Sequence, residues 1–306
     1  MKLFRVCAVL ALMGAVSCKN DTTGTISAIP PLAGLRYMNI SPDTSAVDFR
    51  IVDAVAYAPN QTAAAFRTGG VVDGISLGGA TPFYLPVAAG SHEIRVFLNG
   101  TTAATASTIL LDTTITFLAN NNYTFYLYGY ANSPTNGVPK MAALVTTDTA
   151  LTIAAGNFAV RVIHAAPTMA GAAGLATRAV DVWIDTLALA AAPVGAPTFA
   201  NVDLGQVRAS ATKTARPAAG AVPALAYRVA FAATGGTAPI ISAALPVGVV
   251  GTSTTNPTPG VIVSGTQYSV LLVPRSTAAT GAPQTAAFTN PTALFLVDQL
   301  PPRTAP

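Results

Sequence analysis

One short stretch combines the only tryptophan of the chain with two carboxylates. In the run Val180-Asp181-Val182-Trp183-Ile184-Asp185, strand alternation places Asp181, Trp183 and Asp185 on the face opposite the apolar side chains. An indole flanked by hydrogen-bond acceptors can stack on a sugar ring, so these three residues are the candidate ligand-binding site. Two alternatives remain open, namely an indole covered by a loop or neighbouring domain, and a Ca²⁺ site built on the carboxylates. Calcium requires about six to eight oxygen ligands, and no Asp-x-Asp-x-Asp-Gly loop occurs, so the Ca²⁺ site is the less favoured alternative and our prediction contains no metal site.

Catalytic residue types are scarce in this composition. The chain has two histidines, His92 and His164. Alternation predicts that His92 lies at the start of a strand and that His164 is a buried imidazole bonded to backbone. Glu93 is the only glutamate, and no His-Glu-x-x-His pair is present. We therefore expect a protein without catalytic residues or cofactors, and the less favoured alternative is a hydrolase that uses Asp181 or Asp185.

Cys18 ends a stretch with the layout of an export signal. Two basic residues precede an apolar run at 6–16 that is too short to span a bilayer, and small residues precede the thiol. The sequence Ala15-Val16-Ser17-Cys18 resembles a lipobox, in which the cysteine thiol receives a diacylglyceryl group. We predict a lipoprotein signal peptide at 1–17 and lipidation of Cys18, with a plain secretory signal as the alternative.

Location and charge follow from this signal. Lys19, where a retention signal would have Asp, favours anchoring in the outer membrane of the cell envelope, on either its periplasmic or its surface face. Removal of Lys2 and Arg5 lowers the 16 Lys and Arg residues to 14, against 12 acidic residues, and leaves a net charge of +2. The remaining basic residues are scattered, so we expect no nucleic-acid partner. With Cys7 removed and Cys18 acylated, no disulfide or thiolate metal site remains.

Strand patterns dominate the mature chain. Residues 18–33 are polar and then Pro-containing, and they predict a flexible tether. Beyond them, short runs rich in Val, Ile, Tyr, Phe and Thr alternate with Gly, Pro, Asn and Asp clusters, which is typical of an all-β fold. The clearest early runs are 35–40, 46–52, 81–87, 92–98, 115–118, 123–129 and 141–146. Seven strands in this length predict an immunoglobulin-like antiparallel β-sandwich.

The same pattern occurs twice along the chain. Arg36-Tyr-Met-Asn39 aligns with Arg161-Val-Ile-His164, and the stretch that ends at Asp148 aligns with the stretch that ends at Asp298. The intervening runs agree as well: 46–51 with 179–184, and 123–128 with 268–273. This repetition predicts two tandem β-sandwich domains at 34–150 and 156–302.

The opening motifs of the two copies carry a family resemblance. Arg161-Val-Ile-His-Ala-Ala-Pro167, followed by Ala179-Val-Asp-Val-Trp-Ile-Asp185, resembles the start of the DUF4397 domain. The resemblance implies a bacterial extracellular β-sandwich, often in tandem and in lipoproteins, with no established activity. The family's His-Ala-Ser-Pro-Asp run is divided here, because the first copy has Asn39 before Ser41-Pro42-Asp43, and the second keeps His164 but has Ala166 and Thr168. This division favours a structural turn over a shared active centre.

Together these observations predict a non-catalytic, lipid-anchored protein of the cell envelope. We expect it to be a surface binding or adhesion module with a glycan or protein ligand, and the alternative is a structural spacer or scaffold. Its partners would then be the membrane, through the lipid anchor, and that surface ligand.

Overall fold

A computed structural model of the chain describes residues 30–53, 62–64, 84–99, 107–132, 140–167, 179–215, 226–274, 276–278, 280–282 and 291–303. These residues form strands, turns and irregular segments, which confirms the predicted all-β fold. No helix among them is long and apolar enough to cross a membrane. The predicted signal peptide and Cys18 lie outside the described residues, and the first strand begins at Leu32, two positions inside the predicted tether.

The described residues form sixteen strands in two series of eight. The first series comprises β1 (Leu32–Asn39), β2 (Val47–Ile51), β3 (Thr62–Ala64), β4 (Leu85–Ala88), β5 (Gly90–Leu98), β6 (Ile109–Phe117), β7 (Asn122–Tyr128) and β8 (Ala142–Thr147). The second comprises β9 (Asn157–His164), β10 (Val180–Asp185), β11 (Phe199–Val202), β12 (Val207–Thr214), β13 (Arg228–Ala233), β14 (Pro239–Ala244), β15 (Gln267–Val273) and β16 (Thr292–Gln299).

The strands form four sheets of four strands each. The first series gives the orders β4-β1-β7-β8 and β3-β2-β5-β6, and the second gives β12-β9-β15-β16 and β11-β10-β13-β14. Adding eight to each strand number of the first series produces the second, so both series share one topology. In each series one pair is parallel, β1 with β7 and β9 with β15, and the other pairs are antiparallel. We call β1–β8 the first sandwich and β9–β16 the second sandwich.

Alternating apolar residues form the hydrophobic core of each sandwich. In the first, Leu35 and Tyr37 of β1 pack in one cluster with Val47, Phe49 and other residues of the facing sheet, and the Tyr37 and Phe49 rings stack at 4.4 Å. In the second, Val160 and Val162 of β9 share a cluster with residues of β10, β13 and β15. Because strand side chains alternate between the two faces of a sheet, each cluster takes every second residue.

A third apolar cluster joins the two sandwiches. Its members come from the opposite faces of the same strands, and they are Met38, Ile40, Tyr126, Ile163, Ala165, Leu271, Val273, Leu294 and Leu296. The sheets β4-β1-β7-β8 and β12-β9-β15-β16 are therefore covered on both faces, and residues 31–306 form one compact unit. We call this contact the sandwich interface.

Candidate functional site

Trp183 is covered by the segment that follows its strand. The side chain of this β10 residue is 4% exposed, and its indole N–H donates to the backbone oxygen of Gly195 at 3.1 Å. The indole therefore lacks the open face that stacking on a sugar would require, and the predicted platform at this position is wrong. The alternative in which a loop covers the tryptophan describes the geometry.

The two carboxylates beside Trp183 hold backbone in place. Asp181 accepts hydrogen bonds from the amides of Asn201 at 2.7 Å and Gly235 at 2.8 Å. Asp185 accepts from the Arg228 guanidinium at 2.7 Å and from the amide of Leu187 at 2.9 Å. Burial opposes ionisation of Asp185, but the hydrogen bonds from Arg228 and Leu187 outweigh it and lower the pKa of Asp185.

Arg228 fixes the covering segment over the indole. Its buried guanidinium donates to the carbonyl oxygens of Ala188, Leu189 and Ala191 at 2.6, 3.0 and 2.7 Å. Asp185 and the guanidinium thus shape the loop at 186–198, whereas Asp181 holds the backbone of β11 and of the turn after β13. Among the described residues, no group of three or more His, Cys, Asp or Glu side chains is arranged to hold a metal ion.

We predict that Arg228→Met exposes Trp183. The variant leaves three carbonyls without their donor and Asp185 without its partner, at a cost of about 1.5–3 kcal/mol. Iodide quenching of Trp183 fluorescence should rise because the covering loop is released. Arg208→Met is the matched control, since Arg208 also donates to backbone carbonyls, those of Ala200 and Asn201, which lie outside the loop at 186–198. Equal quenching in the two variants would contradict this account.

Both histidines make local structural contacts. The Nε2 of His92 lies 2.8 Å from the carbonyl oxygen of Ala88, and its Nδ1 lies 3.3 Å from a carboxylate oxygen of Asp53. His164 is fully buried, as alternation predicts, and its Nδ1 accepts a hydrogen bond from the amide of Ala166 at 3.3 Å. No hydroxyl or thiol is among these partners.

The motif from Asn39 to Asp43, which follows β1, forms a buried turn. A structural turn is what the division of this motif between the two copies favoured. The Asn39 side chain accepts from the amide of Ser41 at 3.1 Å and donates to the carbonyl of Ser45 at 2.8 Å. Asp43 accepts from the amides of Ala131 and Asn132 at 2.9 and 2.8 Å. These contacts tie the β1–β2 turn to the residues that follow β7.

A Gly-x-Ser-x-Gly pattern at Gly74-Ile-Ser-Leu-Gly78 lies outside the described residues. In hydrolases this pattern acts at a sharp turn from a strand to a helix. The described part of the chain contains strands and turns but no helix.

Four buried charges lie within the sandwich interface. They are Arg36 of β1, Arg161 of β9, Asp148 directly after β8 and Asp298 of β16, and each side chain is at most 8% exposed. Arg36 donates to Asp298 at 2.5 Å, and Arg161 donates to Asp148. Each arginine thus pairs with a carboxylate of the other sandwich. We call these four residues the ionic quartet.

Hydroxyl groups complete the quartet in the same way on both sides. Arg36 Nε donates to Thr124 and Arg161 Nε donates to Ser269, both at 2.5 Å. The hydroxyl of Thr124 then donates to Asp148, and that of Ser269 donates to Asp298 at 2.5 Å. A further N–H of Arg36 reaches the carbonyl of Val297 at 2.9 Å, and Arg161 makes the equivalent contact with Thr147 at 3.3 Å. Each hydrogen bond made by Arg36 therefore has an equivalent made by Arg161, with the roles of the two sandwiches exchanged.

Burial and charge act against each other within the quartet. Burial disfavours the charged form of Asp148, but Arg36 and Arg161, with hydrogen bonds from Arg161 and Thr124, outweigh it and lower the pKa of Asp148. For Asp298 burial prevails over the two arginines and raises the pKa. Burial also raises the pKa of the adjacent Tyr126 hydroxyl to about 12.

Because the pKa of Asp148 is lowered, the loss of stability on replacing Asp148 should depend on pH. Asp148 binds a proton more weakly in the native state than in the unfolded chain. Its contribution to the free energy of unfolding is therefore fully present above the ordinary pKa of 3.8, and it is lost as the pH falls through the lower native pKa. The free-energy difference between wild type and Asp148→Asn should therefore shrink as the pH falls below about 4. Urea denaturation across this range measures the difference, and a constant gap would contradict the assignment.

The fold and the quartet define an all-β protein of two sandwiches joined through a buried ionic contact. A family model described as "Domain of unknown function (DUF4397)" matches residues 33–172. The chain therefore contains a DUF4397 domain, which extends from the second residue of β1 past β9. A comparison with the curated proteins found no match.

Proposed function

We propose that this chain is a non-catalytic, lipid-anchored protein of the cell envelope that acts as a rigid spacer or scaffold. The ionic quartet carries the proposal. Two sandwiches that move independently would not need four buried charges paired across their contact, because the charges are costly to bury unless both partners stay in place. A rigid body of two sandwiches suits a protein that sets a distance or holds a position.

The hydrogen bonding of the candidate catalytic groups supports a non-catalytic role. Asp181 and Asp185 are occupied by backbone amides and Arg228, and Asp148 and Asp298 are occupied by arginines and hydroxyls. A pair of acids that hydrolyses a glycosidic bond needs one carboxyl group that can donate its proton to the substrate and another that faces it. The described carboxylates are instead engaged within the fold.

The lipid anchor is proposed from the signal sequence that ends at Cys18. Three acyl chains on one cysteine would hold the protein firmly, since each buried methylene contributes about 0.8 kcal/mol and a single chain binds only marginally. The first strand begins at Leu32, which leaves residues 19–31 as the connection to the first sandwich.

We predict that Cys18→Ala abolishes membrane attachment. The wild-type chain should incorporate labelled palmitate and stay in the membrane fraction, whereas Cys18→Ala should do neither. Cys7→Ala is the matched control, because that thiol lies within the predicted signal peptide and should leave attachment unchanged. Palmitate incorporation by Cys18→Ala would refute the anchor.

A surface binding or adhesion module is the second candidate. Among the described strands β6 pairs with β5 alone, and alternate side chains along it, including Asp112, Thr114 and Thr116, are exposed. A free strand edge can accept a strand from another chain. Protease treatment of intact cells separates the two candidates, because cleavage places the protein on the surface, where adhesion requires it, and protection favours a periplasmic scaffold.

A further inference from the structure

We propose that the chain forms a symmetric dimer in which strand β6 of one copy pairs antiparallel with β6 of a second copy. The sheet β3-β2-β5-β6 ends at β6, which pairs with β5 and with no other described strand. Pairing two such edges about a twofold axis joins the two sheets into one sheet of eight strands. This dimer goes beyond the proposed spacer, and it does not depend on the anchor at Cys18.

Strand β6 lacks the usual protection of a sheet edge. Edge strands commonly avoid pairing with other chains because they are short or contain proline or basic residues. Most other edges of the described sheets have such a feature. Strands β3, β4 and β11 have three or four residues, β14 begins with Pro239, and β12 contains Arg208 and Lys213. Strand β6 has nine residues, the most of any edge, and contains no proline and no basic residue. Five of the nine are Ile or Thr, which favour strand pairing.

The regular part of β6 is centred on Thr114. The register with β5 shifts between Val96 and Phe97, which leaves 111–117 as the uninterrupted segment. Antiparallel pairing about Thr114 uses this whole segment and places Thr114 opposite its own copy. Asp112 then lies opposite Thr116 of the second copy, and its charge is already paired with Arg95 at 2.8 Å. The two Asp112 carboxylates are kept apart, whereas like charges directly opposite would destabilise the pairing.

Apolar side chains at the same margin of the first sandwich are incompletely covered. Leu111 and Ile115 of β6, with Ala143 and Val145 of β8, pack against the first core but stay partly exposed. The equivalent strands of the second sandwich, β14 and β16, contact each other, so β6 and β8 share one side of the first sandwich. In the dimer, Leu111 lies opposite Phe117 of the second copy on the core-facing side. The second copy therefore continues the apolar layer that ends at β6 in the single chain.

Cysteine cross-linking in the full-length chain tests this register. A Cys7→Ala/Cys18→Ala background contains no other cysteine. In it, Thr114→Cys should oxidise to a disulfide-linked dimer, because directly opposed strand residues lie about 4.5–5.5 Å apart, within reach of a disulfide. Thr116→Cys is the matched control, since Thr116 is exposed on the same face but lies about 14 Å from its own copy in the dimer. We expect about tenfold more cross-linked dimer from Thr114→Cys than from Thr116→Cys.

Sedimentation equilibrium of the cysteine-free chain measures the dimer without a cross-link. Within its own chain Thr116 lies opposite the neutral Ser91 of β5, so a charge at this position acts mainly across the proposed contact, on Asp112 of the second copy. Thr116→Asp should weaken the dimer and Thr116→Lys should strengthen it, so their dissociation constants should differ about tenfold. A monomeric parent chain, equal constants for these two variants, or equal cross-linking of Thr114→Cys and Thr116→Cys would overturn the dimer. Thermal unfolding, followed by circular dichroism, verifies that each variant is folded.

Discussion

Asp298→Ala is expected to lower the free energy of unfolding by about 3–5 kcal/mol. The substitution removes the nearer carboxylate partner of Arg36 and one of the two carboxylate partners of Arg161, and both guanidinium groups stay buried in the interface with Asp148 as their one remaining carboxylate. An unpaired buried charge costs far more than the lost attraction alone, because its desolvation is no longer compensated. Urea denaturation, followed by circular dichroism, measures the loss.

Two further variants show that the effect belongs to a buried network. Arg95→Ala removes a guanidinium that pairs with Glu93 and Asp112 at a solvent-exposed position of the first sandwich, and it should cost far less stability than Asp298→Ala does. Arg36→Met combined with Asp298→Leu should recover much of the stability lost in Asp298→Ala, because apolar replacements leave neither charge unpaired. A cost below about 1 kcal/mol for Asp298→Ala would mean that water reaches the quartet.

The strand pattern was visible in the sequence because each sandwich buries one set of alternating residues. The run predicted at 92–98 corresponds to β5 (Gly90–Leu98), and the run predicted at 123–129 corresponds to β7 (Asn122–Tyr128). Strand β3 (Thr62–Ala64) was missed, since three small residues carry no recognisable alternation. The division into domains at 34–150 and 156–302, and an immunoglobulin-like form, stay predictions, although the repeated strand order agrees with the repeated sequence.

The ionic quartet could not be identified from alternation, which separates the two faces of a strand but does not say what covers each. Alignment of the two copies matched Arg36 with Arg161 and Asp148 with Asp298. The sequence therefore showed that these residues are equivalent, but it did not show that they contact one another. One signal was available. Met38 and Ile40 share the face of Arg36, as Ile163 and Ala165 share that of Arg161, and apolar residues on both faces indicate a strand covered on both sides.

Trp183 illustrates the same limit at the level of a loop. Its position opposite the core residues of β10 was read correctly, but parity along a strand contains no information on the segment that folds over it. The cover depends on Arg228, forty-three positions from Asp185, and on the backbone of Gly195. A tryptophan on the outer face of a sheet therefore indicates a binding platform only when the adjoining loop is too short to reach it, and the loop at 186–198 is long enough.

Leu271→Ala and Leu272→Ala are expected to show that the two sandwiches unfold together. These neighbours on β15 are both fully buried, but Leu271 packs in the sandwich interface and Leu272 packs in the core of the second sandwich. Each truncation should cost about 2–5 kcal/mol, from the lost transfer free energy and the cavity left behind. Hydrogen exchange at β1 and β9, read by mass spectrometry, reports on the two sandwiches separately.

The adjacent positions make the comparison informative, because the chemistry and the burial are the same and only the face differs. If the interface couples the sandwiches, both variants should lower the protection of β1 as much as that of β9, even though Leu272 packs in the second sandwich alone. Independent sandwiches would give a different result, in which Leu272→Ala weakens β9 and leaves β1 unchanged. That outcome would leave the quartet as a local contact and would remove the physical basis for a rigid spacer.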